Sequence, residues 1–260
     1  AARGTSVSQS SPRGAAGEVK RLYFQPIPSL TAVFAVMLAL LIGLGVWQIQ
    51  RLHWKLALIR TVHDHMTGPP LTLHQALAMG IAKAQYHRVA LVGHFDNRKE
   101  VYVYTVTSER PVYHVLTPFI VTGEGGRAIM VDRGYIPLNL KAPETRPGGE
   151  LKGTVRIVGI WRHSYQPGLF TPAPNLKARE WFVRDAAGIA RADGVKLIAP
   201  VLLEADAAPN PGGWPKGGQT VVHFHNEHLQ YAITWFALAV GLMGIYVLYH
   251  LNQGRLGWRD

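Results

Sequence analysis

The chain has 260 residues, 48% of them hydrophobic, which allows one or two ordinary domains and excludes a mainly disordered protein. It contains no cysteine, so a disulfide scaffold, thiol redox chemistry, iron–sulfur ligation and thiolate zinc sites are excluded. Its 27 Lys and Arg against 16 Asp and Glu give a net charge of +11, compatible with nucleic acid, an anionic membrane or plain solubility, so the position of the charge has to decide.

Residues 1–28 are rich in Ser, Gly, Ala and Arg and lack a helical apolar stripe, and they read as a disordered tail. Leu30 to Ile49 is a 20-residue stretch without Asp, Glu, Lys, Arg or His, holding eleven Leu, Ile, Val or Phe. At about −0.3 to −0.6 kcal/mol each these offer roughly −5 kcal/mol, enough to outweigh the polar Thr31 and Gln48. The length matches the hydrocarbon core, so residues 29–50 are expected to span a membrane. Gly43-Leu44-Gly45 is a candidate cleavage site, but twenty apolar residues are long for a signal peptide and favour an uncleaved anchor. Tyr231 to Leu251 is a second such stretch, 21 residues with His250 at its edge, giving a second span over 230–251. Trp47, Trp235, Tyr246, Tyr249 and Trp258 stand near the ends of the spans, where aromatic belts form. Two buried core helices are the alternative reading. Lys20, Arg21, Arg255 and Arg259 favour both termini inside, with 252–260 a short cytoplasmic tail. Arg51, Lys55 and Arg60 argue locally the other way, but a connecting segment this long translocates largely regardless of charge.

Residues 51–229 are then an extracytoplasmic domain, and it reads as α+β. Arg51 to Met66 continues the first span as a helix, and Gly68-Pro69-Pro70 stops it. A short helix fits His74 to Met79. Strand patterns follow at Tyr86 to Phe95, Val101 to Thr107, Tyr113 to Val121 and Ala128 to Val131, the last two joined by the turn Gly123-Glu124-Gly125-Gly126. After the Pro/Gly-rich loop Ala142 to Gly149 come Thr154 to Trp161, Trp181 to Arg184, a helix capped by Asp185 and running to Ala192, and Val201 to Glu204. Short strands with turns between them predict an antiparallel sheet or a small partly closed barrel. Pro209 to Gly218 leads the chain back to the membrane.

The densest polar cluster is His223, His225, Asn226, Glu227 and His228, just before the second span. Three histidines suit a free metal ion, but no fourth ligand is placed by the spacing and His-Glu-x-x-His is absent. An interfacial histidine capping a span is a blander reading. A third is more specific: one neutral histidine at the membrane surface, with Tyr231 and Trp235 at i+3 and i+7, can be the axial ligand and wall of a non-covalent haem. Other chemistry finds little support. Gly123-Glu124-Gly125-Gly126 lacks the Lys-Ser/Thr of a phosphate loop, no Gly-x-Ser-x-Gly exists, and Asp132-Arg133-Gly134 reads as a structural ion pair at a turn closing a strand. Scattered basic residues without an aromatic platform argue against nucleic acid.

GLGVWQIQRLHWK (Gly43 to Lys55) and NEHLQYAITWF (Asn226 to Phe236) strongly resemble the two membrane-boundary signatures of the Surfeit locus 1 family of cytochrome c oxidase assembly proteins. YHRVALVGHFD, TPF, VDRGYIP, PETR and GGQT match in order between them, so the similarity covers roughly residues 30–251. The resemblance implies a non-enzymatic protein with two spans flanking a domain on the outer side of a bacterial cytoplasmic membrane, or on the intermembrane-space side in mitochondria. It implies a role in maturing subunit I of a haem-copper oxidase, with haem a, bound non-covalently and transiently, received from haem A synthase. The histidine carried over as haem-iron ligand is His228. Trp47, Tyr231 and Trp235 would pack on the ring while the spans accommodate the tail, and the propionates would meet basic residues near the surface, Arg51 by its position. The alternative is a haem-free membrane scaffold that stabilises an oxidase assembly intermediate.

Overall fold

A computed structural model describes residues 21–107, 110–220, 224 and 226–259. The expected tail before residue 21 and the histidines at 223 and 225 lie outside the described residues. In chain order the elements are β1 (Arg21–Phe24), α1 (Pro28–Thr67), β2 (Leu71–Thr72), α2 (Leu73–Met79), α3 (Ile81–Ala84), β3 (Arg88–Phe95), β4 (Val101–Thr107) and β5 (Arg110–Val121). There follow β6 (Ala128–Pro137), β7 (Val155–His163), β8 (Glu180–Trp181), α4 (Ala186–Ala192), β9 (Leu197–Ala205), α5 (His228–Asn252) and β10 (Leu256–Arg259). They divide into two compact units: residues up to Lys55 with those from His225 on, and Leu56–Phe224.

The first unit is a helix pair. The two apolar stretches form α1 and α5, each long and apolar enough to cross a membrane. Pro28 opens α1, where its missing N–H is no loss. The less exposed positions of α1 recur as Thr31, Phe34, Leu38, Leu41, Gly45 and Gln48, alternating steps of three and four that make one seam. On α5 the matching seam is Ala232, Trp235, Ala239, Leu242 and Tyr246. The helices run antiparallel: Phe34 stacks on Tyr246 at 4.0 Å, and a β-carbon at Gly45 would stand 2.7 Å from the Phe236 ring. Small residues on the seam let the backbones approach, as in hydrocarbon, where no hydrophobic effect drives helices together. The outward faces carry exposed Val33, Val36, Leu40, Val240 and Ile245, apolar surface that needs lipid or a partner to cover it. The segments expected as tails are not wholly irregular: Arg21–Phe24 pairs antiparallel with Leu256–Arg259, and the Tyr23 hydroxyl donates to Gly254 O at 3.0 Å. Local composition could not show this pairing, because the two strands are more than 230 residues apart and Phe24 also packs on the His250 ring of α5 at 5.3 Å.

The second unit is α+β, as the strand pattern predicts, and its barrel is closed. β3 pairs with β7, β7 with β9, β9 with β6, β6 with β5, and β5 returns to β3. Most pairings are antiparallel; β6–β9, β2–β3 and β4–β8 are parallel, a direction that strand patterns alone do not reveal. Alternate residues point inward, so Val89, Leu91, Phe119, Ile129, Val131, Trp161, Val201 and Leu203 fill the interior. The other face of β6 and β9, with Met130 and Leu202, is covered by Ile189 and Ala190 of α4. Burial on both faces is why Ala128 to Val131 reads as an unbroken apolar run. Each such side chain contributes about 1.5–3 kcal/mol relative to exposure. Gly123, Gly125 and Gly126 all have positive φ in the β5–β6 turn, as the Gly-rich signal requires. Asp185 caps α4, accepting from Gly188 N at 2.9 Å.

Two local expectations are corrected. β6 continues to Pro137, so Asp132-Arg133-Gly134 lies inside a strand instead of closing one at a turn. The pleat then sends Asp132 and Arg133 to opposite faces: Asp132 pairs with His114 and Arg184, Arg133 with Glu100 and with Gly149 O. They are not an ion pair with each other. The strand expected over Trp181 to Arg184 is only Glu180–Trp181, because Arg184 turns toward Asp132 and Glu204.

Candidate functional site

His228 is the first residue of α5, and its Nδ1 lies 2.8 Å from Oε1 of Gln48 on α1. An amide oxygen can only accept, so Nδ1 carries the proton and donates to it, and Nε2 is the nitrogen that this bond leaves unused. A hydrogen bond on one ring nitrogen sets the tautomer and orientation of an imidazole that ligates metal through the other. Gln48 is 9% exposed in an apolar helix, where a polar side chain without a partner would be costly. The other polar residue of that span, Thr31, hydrogen bonds Tyr246 at 2.7 Å. Both polar residues that weigh against insertion therefore join the two spans.

The remaining expected site residues are not drawn into one cluster. Trp235 is half-buried on the seam, one heptad from His228. Trp47 is 54% and Tyr231 50% exposed, and among the described residues no ring–ring pair joins Trp47, Tyr231 or Trp235. Arg51 is exposed, its guanidinium 4.0 Å over the ring of Trp54. Gln48 is the residue the spacing argument missed. Its signal was present as a lone glutamine inside an apolar run, but its partner is 180 residues away. Gln48→Leu keeps the volume and removes the acceptor. It is expected to weaken the helix pair by about 1 kcal/mol and to release His228 into a mixture of tautomers. The ¹⁵N shifts of the His228 ring in the full chain are the check; an unchanged Nδ1–H tautomer would contradict the assignment.

The α+β unit has its own polar centre. Asp132 Oδ2 lies 2.9 Å from His114 Nδ1 and 3.0 Å from Arg184 Nη1, and Oδ1 accepts from Gly134 N at 3.0 Å. Arg184 Nη1 also donates to Glu204 at 2.9 Å, and Thr220 donates to Glu204 at 2.6 Å. Burial by itself would raise the Asp132 pKa, but His114, Arg184 and the Gly134 amide hold it below the usual carboxylate range. Burial opposes a charged His114, yet the Asp132 carboxylate prevails and keeps its pKa above the ordinary 6.5. Gly134 has φ +106°, and a β-carbon there would stand 1.9 Å from Lys216 O. The glycine thus lets residues 216–220 cross β6 and bring Thr220 to Glu204. On the opposite side Arg146 holds the Ala142–Gly149 loop to the domain through Glu100, Glu150 and Leu140 O.

In chain order, a small closed barrel lies between two helices long and apolar enough to span a membrane, the second of them headed by a hydrogen-bonded histidine. The chain belongs to the SURF1 family, whose profile matches residues 35–240. Surfeit locus protein 1 of Mus musculus is 36% identical over 211 residues, 75% of this chain and 67% of its own length. The Homo sapiens protein of the same name is 35% identical over 213 residues, covering 76% and 69%. A SURF1-like protein of Monosiga brevicollis is 34% identical over 224 residues, covering 82% and 84%.

Proposed function

We propose that this protein assists the assembly of cytochrome c oxidase by holding haem a at the membrane boundary through His228 and passing it to subunit I. Family membership supports the coarser part, a role in oxidase assembly. The observation that carries the finer part is the Gln48–His228 hydrogen bond, which engages Nδ1 and leaves Nε2 as the ring nitrogen to meet an iron at the head of α5. A single imidazole ligand is a recognised way to hold haem iron, and the donor set here fits that chemistry. Trp235, with Tyr231 and Trp47 beside the seam, offers aromatic surface for a flat macrocycle, and Arg51 a cation for its carboxylates. Haem a brings an apolar tail, which favours lipid over water. The exposed apolar outer faces of α1 and α5 suit that tail. In this reading haem A synthase is the donor, subunit I the acceptor, the bacterial cytoplasmic membrane or the mitochondrial inner membrane the site of action, and the protein catalyses no reaction of its own.

The test is an absorption spectrum and pigment extraction of the full chain purified after co-expression with haem A synthase, beside His228→Ala. We expect a Soret band in the wild type and at least about tenfold less pigment in the variant, the scale on which ligand-sphere losses act. Haem retained by His228→Ala with an unchanged spectrum would remove His228 as ligand. No pigment in either folded protein would favour the scaffold reading. That second reading has its own observation: Leu169 and Phe170, 98% and 97% exposed in the outer domain, offer apolar side chains to a protein contact.

A further inference from the structure

The α+β unit contains a cavity of about 350 Å³ that the haem reading does not use, within the range of small-molecule sites. It is lined by His114, Arg162, Tyr165, Phe182, Arg184 and Glu204 among others. Its charged groups are unequally satisfied. Glu204 and Asp132, the carboxylates of this cluster, are already engaged: Glu204 by Arg184 and Thr220, Asp132 by His114, Arg184 and the Gly134 amide. The cations keep donors in reserve. Among the described residues Arg162 donates through Nη2 alone, to the Tyr165 hydroxyl at 2.8 Å, and its guanidinium lies 4.8 Å from the centre of the Tyr86 ring. Its Nε and Nη1 are buried and, among the described residues, without an acceptor within hydrogen-bond distance, Glu204 standing 3.8 Å from Nε. Arg184, among the described residues, donates through Nη1 alone, and His114 is held through Nδ1 alone. Buried guanidinium donors without acceptors are costly, so an acceptor group brought by a ligand would be favoured here once the Arg162 side chain turns toward the cavity.

The rim of the same cavity is aromatic. Tyr104 and Phe182 meet edge to face at 6.5 Å and are 36% and 37% exposed. The Tyr165 ring lies 4.8 Å from the Arg184 guanidinium carbon. Unengaged donors on cations at the wall and aromatic edges at the mouth match one ligand chemistry: an anionic acceptor group carried on a flat apolar body. We propose that this cavity is a binding site for a small aromatic or otherwise planar carboxylate, held by Arg162 and Arg184 and bordered by Tyr104, Tyr165 and Phe182. The site lies wholly within the α+β unit and is independent of His228.

The test is calorimetric titration of the full chain in detergent with benzoate, against benzamide as the uncharged molecule of the same shape. Benzoate is expected to bind saturably and benzamide at least about tenfold more weakly, since only the anion forms charge-assisted hydrogen bonds. Arg162→Gln is expected to lower benzoate affinity at least about tenfold, with the melting temperature recorded to establish that the domain is folded. Tyr104→Ala, on the exposed rim, tests the site without touching the ion cluster and is expected to weaken benzoate severalfold. Equal affinity for benzoate and benzamide, no saturable benzoate binding, or full affinity in a folded Arg162→Gln protein would each overturn the proposal. His228→Ala is expected to leave benzoate binding unchanged, so failure of the haem reading and failure of this one are read separately.

Discussion

Gly93→Val is expected to leave the α+β barrel unfolded. Gly93 is where β3 meets β5 and the sheet closes on itself, in register with Val121. A β-carbon there would lie 2.0 Å from Ile120 O and 2.9 Å from the Phe119 ring. The ring could shift by a rotamer change, but the carbonyl belongs to the strand that must hydrogen bond across the closure, so no side-chain adjustment relieves the clash. Overpacking costs typically about 1–3 kcal/mol where neighbours can adjust. Here the backbones must separate, and the expected loss is more than about 3 kcal/mol, a large part of what a domain of this size has. Circular dichroism and thermal unfolding of the full chain are the check, with Val92→Ala on the same strand as control. Val92 is 47% exposed, and its truncation is expected to cost less than about 1 kcal/mol. A Gly93→Val protein melting like the control would show that β3 and β5 do not close the barrel there.

The second large effect is expected at Asp132. Asp132→Ala leaves Arg184 and His114 packed against a site that has lost its carboxylate and leaves the Gly134 amide without its acceptor. Removing one partner of a buried ion pair costs about 3–5 kcal/mol, and Asp132 is 3% exposed. The same cluster predicts a two-sided pH dependence. Asp132 has a folded pKa below its unfolded one, so its contribution is present above the usual carboxylate range and is lost as pH falls through the folded value. His114 has a folded pKa above 6.5, so its contribution is complete below that pH and is lost as pH rises through the folded value. Stability is therefore expected to be greatest between the two ranges. His114→Gln should flatten the alkaline limb, since an amide does not titrate, while Asp132 still shapes the acid side. Denaturant unfolding at a series of pH values decides this; a wild-type profile flat above pH 6.5 would remove His114 from the account.

The sequence by itself determined the parts of this protein that depend on neighbouring residues. The two spans follow from runs of apolar side chains whose transfer free energy is additive along the chain, and α1 and α5 contain both expected stretches. The Asp185 cap, the Gly-rich β5–β6 turn and the end of α1 before Gly68-Pro69-Pro70 are likewise local, because capping and positive φ are decided within three or four residues. The motifs that resemble the family are local as well, and the family itself could be read from them. What only the tertiary structure decided are pairings across long stretches of chain. Gln48 reads as a mere penalty in a membrane span until α5 brings His228 to it. Asp132 and Arg133 look like partners by adjacency, and the pleat of β6 separates them onto opposite faces, each with its own ion cluster. The closure of the barrel at Gly93 and the meeting of His114, Arg162, Arg184 and Glu204 around one cavity need strands that are distant in sequence. Such contacts carry no periodic signature, because their stabilisation appears only after the loop-closure entropy between them has been overcome.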